Sequence, residues 1–209
     1  IIPSEGGKVT AALIQACLAR VAELRAEPDT YWTDQFNNLD NRAGYVAMAE
    51  ETLRDLKGEL DEFVVGVGTG GCLTGHAELF RRVAPRVRCV AVEPWASQVI
   101  AGHAPIGGHR LEGMGAGFVP SLCDPALVDA VVPVRDEDAL ATARRLAREE
   151  GIFGGISSGA NLWAALERAR RLGPEARVVT VVCDSGLKYL RGDLYGGDAA
   201  AAMPNQQSA

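Results

Sequence analysis

Gly66-Val67-Gly68-Thr69-Gly70-Gly71 stands where an apolar run gives way to a helix-like pattern. Backbone N–H groups at such a junction, reinforced by the helix dipole, suit a phosphate. Glycine lets the phosphate come closer to the backbone than a Cβ would allow. A tight strand-to-helix turn without a ligand is the alternative. The same residues satisfy G-x-G-x-x-G at 66, 68 and 71, and Glu93 ends the next apolar run 22 residues after Gly71. A dinucleotide fold places its ribose-binding acid there, so a nicotinamide-dependent oxidoreductase is one reading. The five cysteines (17, 72, 89, 123, 183) are scattered without a CxxC, which argues against a disulfide framework or a zinc site. The three histidines (76, 103, 109) have no metal-ligand spacing, and no metal is expected. The three lysines are Lys8 beside Gly7, Lys57 at a helix end and Lys188 near the C-terminal turn, places where lysine is usually a solvated charge.

These residues need elements to hold them. Thr10 is a fitting N-cap for a helix to about Arg25. Tyr31–Gln35 can form a short strand, Tyr45–Leu56 a helix, Phe63–Val67 a strand and Thr74–Val83 a helix. Arg88–Val92 reads as a strand, 102–120 as a glycine-rich loop, Ala130–Val134 as a strand and Glu137–Glu149 as a helix. Ser158 to about Arg171 is a further helix and Val178–Cys183 a last strand. Ile1–Pro3 could be the tail of a strand, and Ser4–Gly7 a loop. The strands at 63, 88 and 178 lack polar alternation, as strands buried on both faces of a parallel sheet do. The expected fold class is α/β, a doubly wound parallel sheet.

The longer string Gly68-Thr69-Gly70-Gly71-Cys72-Leu73-Thr74-Gly75 resembles the pyridoxal-phosphate (PLP) cradle GTGGTLTG of the cysteine synthase and cystathionine β-synthase family. Five further segments resemble that family in the same order: Gln35–Asn38, Val90–Pro94, Gly113–Phe118, Glu150–Ala160, and Cys183–Gly186 with Tyr189-Leu190. The resemblance covers nearly the whole chain, and it gives Glu93 a structural role in place of a ribose contact.

The resemblance implies the large PLP domain of fold type II over residues 36–197, preceded by the tail end of a smaller domain at 1–35. Residues 198–209, alanine-rich and then polar, read as a disordered tail. It implies transferase or lyase chemistry in amino-acid biosynthesis: β-replacement or β-elimination on an O-activated serine or cysteine. Cofactor contacts fall to Gly68, Thr69, Gly70, Gly71, Cys72 and Ser185, with Ser185 at the ring nitrogen. A neutral hydroxyl there leaves the ring largely unprotonated and suits elimination, whereas Asp184 in its place would not. Substrate contacts fall to Gln35, Gly113, Gly115 and Ala116. Cys72 stands where the family usually has threonine; one reading is a thiol whose pKa falls near a helix N-terminus, the other a small residue that simply fits.

The family's Schiff-base lysine, in a Ser-x-Lys context, and its Ser-Gly-Asn-Thr substrate loop precede the matched part. No catalytic residue is therefore expected in this chain, which alone is expected to be inactive. A truncated, non-catalytic module that binds a phosphate ligand or a partner is the second reading. The net charge of −6 and the absence of a basic cluster argue against nucleic acid. No apolar run reaches membrane-span length, and the expected setting is cytoplasmic, as a homodimer acting on a small amino acid.

Overall fold

The structure, a computed structural model, describes residue 2 and residues 7–196 of the 209. The expected strand tail at 1–3 apart from residue 2, most of the loop at 4–7 and the tail at 198–209 lie outside the described residues. The elements run α1 (Ala11–Leu24), α2 (Asp40–Ala43), α3 (Val46–Asp55), β1 (Glu62–Gly66), α4 (Gly71–Val83), β2 (Arg88–Pro94), β3 (Ala130–Val134), α5 (Asp136–Glu150), α6 (Ile156–Leu172) and β4 (Val178–Thr180). Single turns of 3-10 helix lie at Pro125–Leu127 and Gly186–Tyr189.

The four strands form one parallel sheet in the order β3-β2-β1-β4. Val64 sits opposite both Val90 and Thr180, and Val90 opposite Ala130. Alternate residues leave opposite faces of a strand. Val64, Val90 and Val92 accordingly enter one core with Ala139 and Ala143 of α5 and Ala160 and Ala164 of α6. Phe63, Val65, Cys89 and Ala91 enter a second core with Ala49 of α3 and Leu73, Ala77 and Phe80 of α4. Helices thus cover both faces of a parallel sheet, which is why its strands carry no polar alternation.

Local chemistry sets the helix ends. Thr10 caps α1 by accepting a hydrogen bond from the Leu13 N–H at 3.1 Å. α5 opens on Asp136, Glu137 and Asp138 and stops at Gly151 in the left-handed region, matching the dipole at one end and the turn at the other. At the base of the sheet the fully buried Glu62 accepts a two-pronged bond from Arg168 of α6, with Nε at 2.7 Å from Oε2.

Two elements differ from expectation. Residues 31–35 are irregular: Asp34 has φ +47, and its carbonyl accepts from the N–H groups of Asn37 and Asn38, closing a turn. β4 ends at Thr180 because α6 side chains take over the next backbone groups. Asn161 Nδ2 donates to the Val181 carbonyl at 3.0 Å, and Ser158 Oγ accepts from the Cys183 N–H at 3.0 Å. α1 buries no residue. It is attached through a two-way backbone bridge between Val9 and His109 and through Ala11 packed against Gly117.

Candidate active site

Three adjoining cavities open beyond the C-terminal ends of β1 and β4, where open parallel sheets place their ligands. The largest, about 410 Å³, is lined by Gly66, Gly68, Thr69, Gly70, Cys72 and Gly113, with Tyr45 and residues 181–183 opposite. A second, about 160 Å³, lies between the loop and Gln35, Phe36, Met114 and Ala116. The third, about 200 Å³, runs inward past Gly66 and Gly113 to Ser157, Asn161, Cys183 and Asp184. Gly113 borders all three, its φ of +86 leaving the Cα open to the space.

The anion end is built from the junction of β1 and α4. Gly70, at the N-cap of α4, has no side chain to cap the helix, and the Thr69 hydroxyl accepts only a long bond from the Gly71 N–H at 3.4 Å, so the other leading N–H groups lack helical acceptors. The glycines are demanded by neighbours as much as by any ligand. Gly70 has φ +87, and a Cβ on it would lie 2.5 Å from the Cys123 nitrogen; one on Gly71 would lie 2.2 Å from Asn41 Oδ1. Asn41 was not foreseen as part of the site. Its Nδ2 donates to Thr69 Oγ1 at 3.1 Å and to the Gln35 carbonyl at 2.8 Å.

Cys72 lines the largest cavity, but burial, with Cys183 nearby, pushes its thiol up to about 12. Desolvation outweighs the helix terminus, which favours the reading of Cys72 as a small residue that fits over that of a lowered pKa. The loop expected to contact substrate, Gly113–Ala116, divides by direction. Gly113 and Ala116 face the cleft, whereas Gly115 is turned against Pro94 and His109. The Gly115 N–H donates to the Val67 carbonyl at 3.1 Å, and its carbonyl accepts from His109 Nε2 at 3.0 Å. Gly115 therefore anchors the loop behind the site.

Ser185 does not line these cavities. Its side chain is exposed and caps the Gly186–Tyr189 turn by accepting from the Leu187 N–H at 3.3 Å. Asp184 is occupied too: Oδ1 accepts from the Gly155 N–H and Ser158 Oγ, and Oδ2 from the Tyr189 hydroxyl at 2.7 Å. The hydroxyl that reaches the inner cavity is Ser157, on the first turn of α6. It lies near the Cys183 thiol, which burial raises and which accepts from Asn161 Nδ2 at 3.3 Å. One helical turn on, Asn161 is fully buried and its Oδ1 has no partner, facing Gly66. The spacing of 157 and 161 was the available signal: two polar side chains one turn apart on a face that also carries Ala160 and Ala164.

An uncapped helix start at one end and Ser157 with an orphaned buried acceptor at the other fit a ligand that carries a phosphate on a polar ring. Glu93 offers nothing to a ribose. It is buried, and its two oxygens accept from the Ile100 and Ala101 N–H groups at 2.8 and 3.1 Å. Lys188 borders the inner cavity, held by Glu112 at 2.7 Å. Among the described residues no cluster of three metal-ligating side chains occurs, and no helix is long and apolar enough to cross a membrane.

Comparison with known proteins agrees with this geometry. The chain is 37% identical over 187 residues to a cysteine synthase of Staphylococcus aureus, covering 88% of this chain and 60% of that protein. Among solved structures, an O-acetyl serine sulfhydrylase of Entamoeba histolytica superposes with a TM-score of 0.81 at 36% identity, covering 87% of this chain and 55% of that one. An O-acetylserine dependent cystathionine beta-synthase of Helicobacter pylori gives 0.81 at 34% identity, covering 87% and 59%. The chain thus spans about three fifths of the length of the relatives it matches. A family model described as pyridoxal-phosphate dependent enzyme matches residues 1–184, and the chain belongs to that family.

Proposed function

We propose that this chain forms the cofactor-holding part of a PLP-dependent enzyme that performs β-replacement or β-elimination on an O-activated serine or cysteine. The observation that carries the reading is the convergence of the phosphate loop, Gln35 and Ser157 on the cavities around Gly113. Bound PLP would supply an electron sink for chemistry at the amino acid's α- and β-carbons. The chain's own groups would do the holding. The first-turn N–H groups of α4 and the Thr69 hydroxyl take the phosphate, while Gln35 stands where a substrate carboxylate can be received. At the ring nitrogen we place Ser157 in preference to Ser185, because Ser157 reaches the inner cavity. A neutral hydroxyl there leaves the nitrogen unprotonated, whereas Asp184 is committed to Gly155, Ser158 and Tyr189.

In this reading residues 1–35 are the end of a smaller domain, and the whole enzyme is a cytoplasmic homodimer. The chain alone does not turn over. The one lysine bordering the inner cavity is engaged by Glu112, and no other described lysine lies in the cleft. That observation also keeps the second reading, a non-catalytic phosphate-ligand module, in view. Titration with PLP, pyridoxal and NADH by fluorescence separates the cases. Binding of PLP well above pyridoxal supports the proposal, and preference for NADH defeats it. Borohydride reduction with peptide mapping tests the inactivity: a pyridoxyl group on Lys8, Lys57 or Lys188 together with turnover of cysteine contradicts it.

A further inference from the structure

Thr69 is surrounded in an uneven way. Its Oγ1 accepts a hydrogen bond from Asn41 Nδ2 at 3.1 Å and a longer one from the Gly71 N–H at 3.4 Å. A hydroxyl oxygen has two acceptor positions and one proton to give. With both acceptor positions filled, the proton has to point elsewhere, and among the described residues it meets no acceptor. Thr69 borders both the 410 and the 160 Å³ cavities, so that proton is directed at the space beside the start of α4.

We propose that Asn41 is a positioning residue that fixes the Thr69 hydroxyl as a donor to the phosphate; the inference rests on the reading of residues 68–72 as the phosphate loop. Left alone, a threonine hydroxyl rotates and can turn its proton toward a nearby carbonyl. An amide N–H directed at its oxygen removes that freedom and leaves a group suited to anions only. The second proton of the same Nδ2 goes to the Gln35 carbonyl at 2.8 Å. One amide therefore ties the phosphate loop to the segment that carries the substrate-side Gln35. Gly71 fits the same scheme, since a Cβ there would occupy the place of Asn41 Oδ1 at 2.2 Å.

The test compares the affinity for PLP with that for pyridoxal, which lacks the phosphate, and follows inorganic phosphate as competitor. Asn41→Asp keeps the shape but replaces the donor with an acceptor, so the Thr69 proton turns toward residue 41. Losing a charge-assisted bond should lower the preference for PLP about tenfold or more, and Asn41→Ala about threefold. Thr69→Ser retains the preference. In the Thr69→Val background, Asn41→Ala has no further effect and Asn41→Asp only the residue of its charge. An equal loss from Asn41→Asp with threonine or valine at 69 overturns the proposal, because through-space repulsion then accounts for everything. If Asn41→Asp does not fold, Gly71→Ala replaces it by displacing the amide: a loss of about threefold with Thr69 and none with Thr69→Val is expected, and equal losses overturn the idea. If the unaltered chain shows no preference for PLP over pyridoxal, the phosphate loop itself is misassigned and the inference falls with it.

Discussion

The cleft has two unlike walls. At the anion end, Gly68, Gly70 and Gly71 are closely backed by Gly113, Cys123 and Asn41, leaving no room for a Cβ. At the opposite wall, β4 pairs over three residues, and beyond it Val182 is 47% exposed while Cys183 and Ser185 are also open. That wall is held by side chains of α6 and by Asp184. The contrast shows which part of the cleft is self-sufficient. The anion end has its shape before any ligand arrives, whereas the far wall offers polar groups on a partly open surface.

Thiol reactivity should show the difference most strongly. With its pKa about 12, Cys72 at pH 8 is thiolate in roughly one molecule in ten thousand, so iodoacetamide should modify it roughly a thousandfold more slowly than an ordinary cysteine. Cys183 of the other wall is exposed and, although its thiol is also raised, should react faster than Cys72; mass spectrometry of timed digests measures both. Equal rates would mean that the anion end is not closed. Next in size is Gly70→Val, a β-branched residue at φ +87 against the Cys123 backbone. It is expected to cost about 3 kcal/mol or more in urea unfolding. Loss of ligand affinity with an unchanged unfolding midpoint would show the glycine to serve the ligand alone.

Across the cleft, Asp184→Ala should cost about 2 kcal/mol, because it strands the Gly155 N–H and the Tyr189 hydroxyl. An unchanged midpoint would mean that the far wall is braced by something else. The smallest effects separate the two serines. Ser157→Ala should weaken pyridoxal binding about threefold, with the phosphate increment intact, whereas Ser185→Ala should leave binding alone and cost about 0.5–1 kcal/mol as a lost cap. The reverse pattern would restore Ser185 to the ring nitrogen.

The two walls also differed in how far the sequence revealed them. The anion end was legible because its determinants are local: an apolar strand, a run of glycines and a helix pattern lie within 20 residues. Thr10 was legible as a cap for the same reason. The far wall depends on relations between elements. Whether β4 runs on to Cys183 is decided by Asn161 and Ser158, some twenty or more positions away. Ser157 lay inside a quoted motif, but its direction follows from how α6 lies on the sheet. Tyr31 and Trp32 suggested a strand by propensity, and the left-handed Asp34 and its turn prevailed. Asn41 went unnoticed because an asparagine between expected elements reads as a turn residue, whereas it lies in the short helix α2.

The sheet order has a consequence in time. β1 and β2 pair across a short connection, and β3 follows, whereas β4 returns to the far side of β1; the bond from Thr180 Oγ1 to the Val64 carbonyl joins residues 116 positions apart. Long loops close late and at greater entropic cost, so during synthesis β1, α4, β2 and β3 can assemble while residues 156–190 are still being added. On this account the proposed phosphate cradle would form with the early unit and the opposite wall with the last one. A phosphate captured by the early unit would already be in place when β4 docks, so the ligand would be a participant in the last folding step.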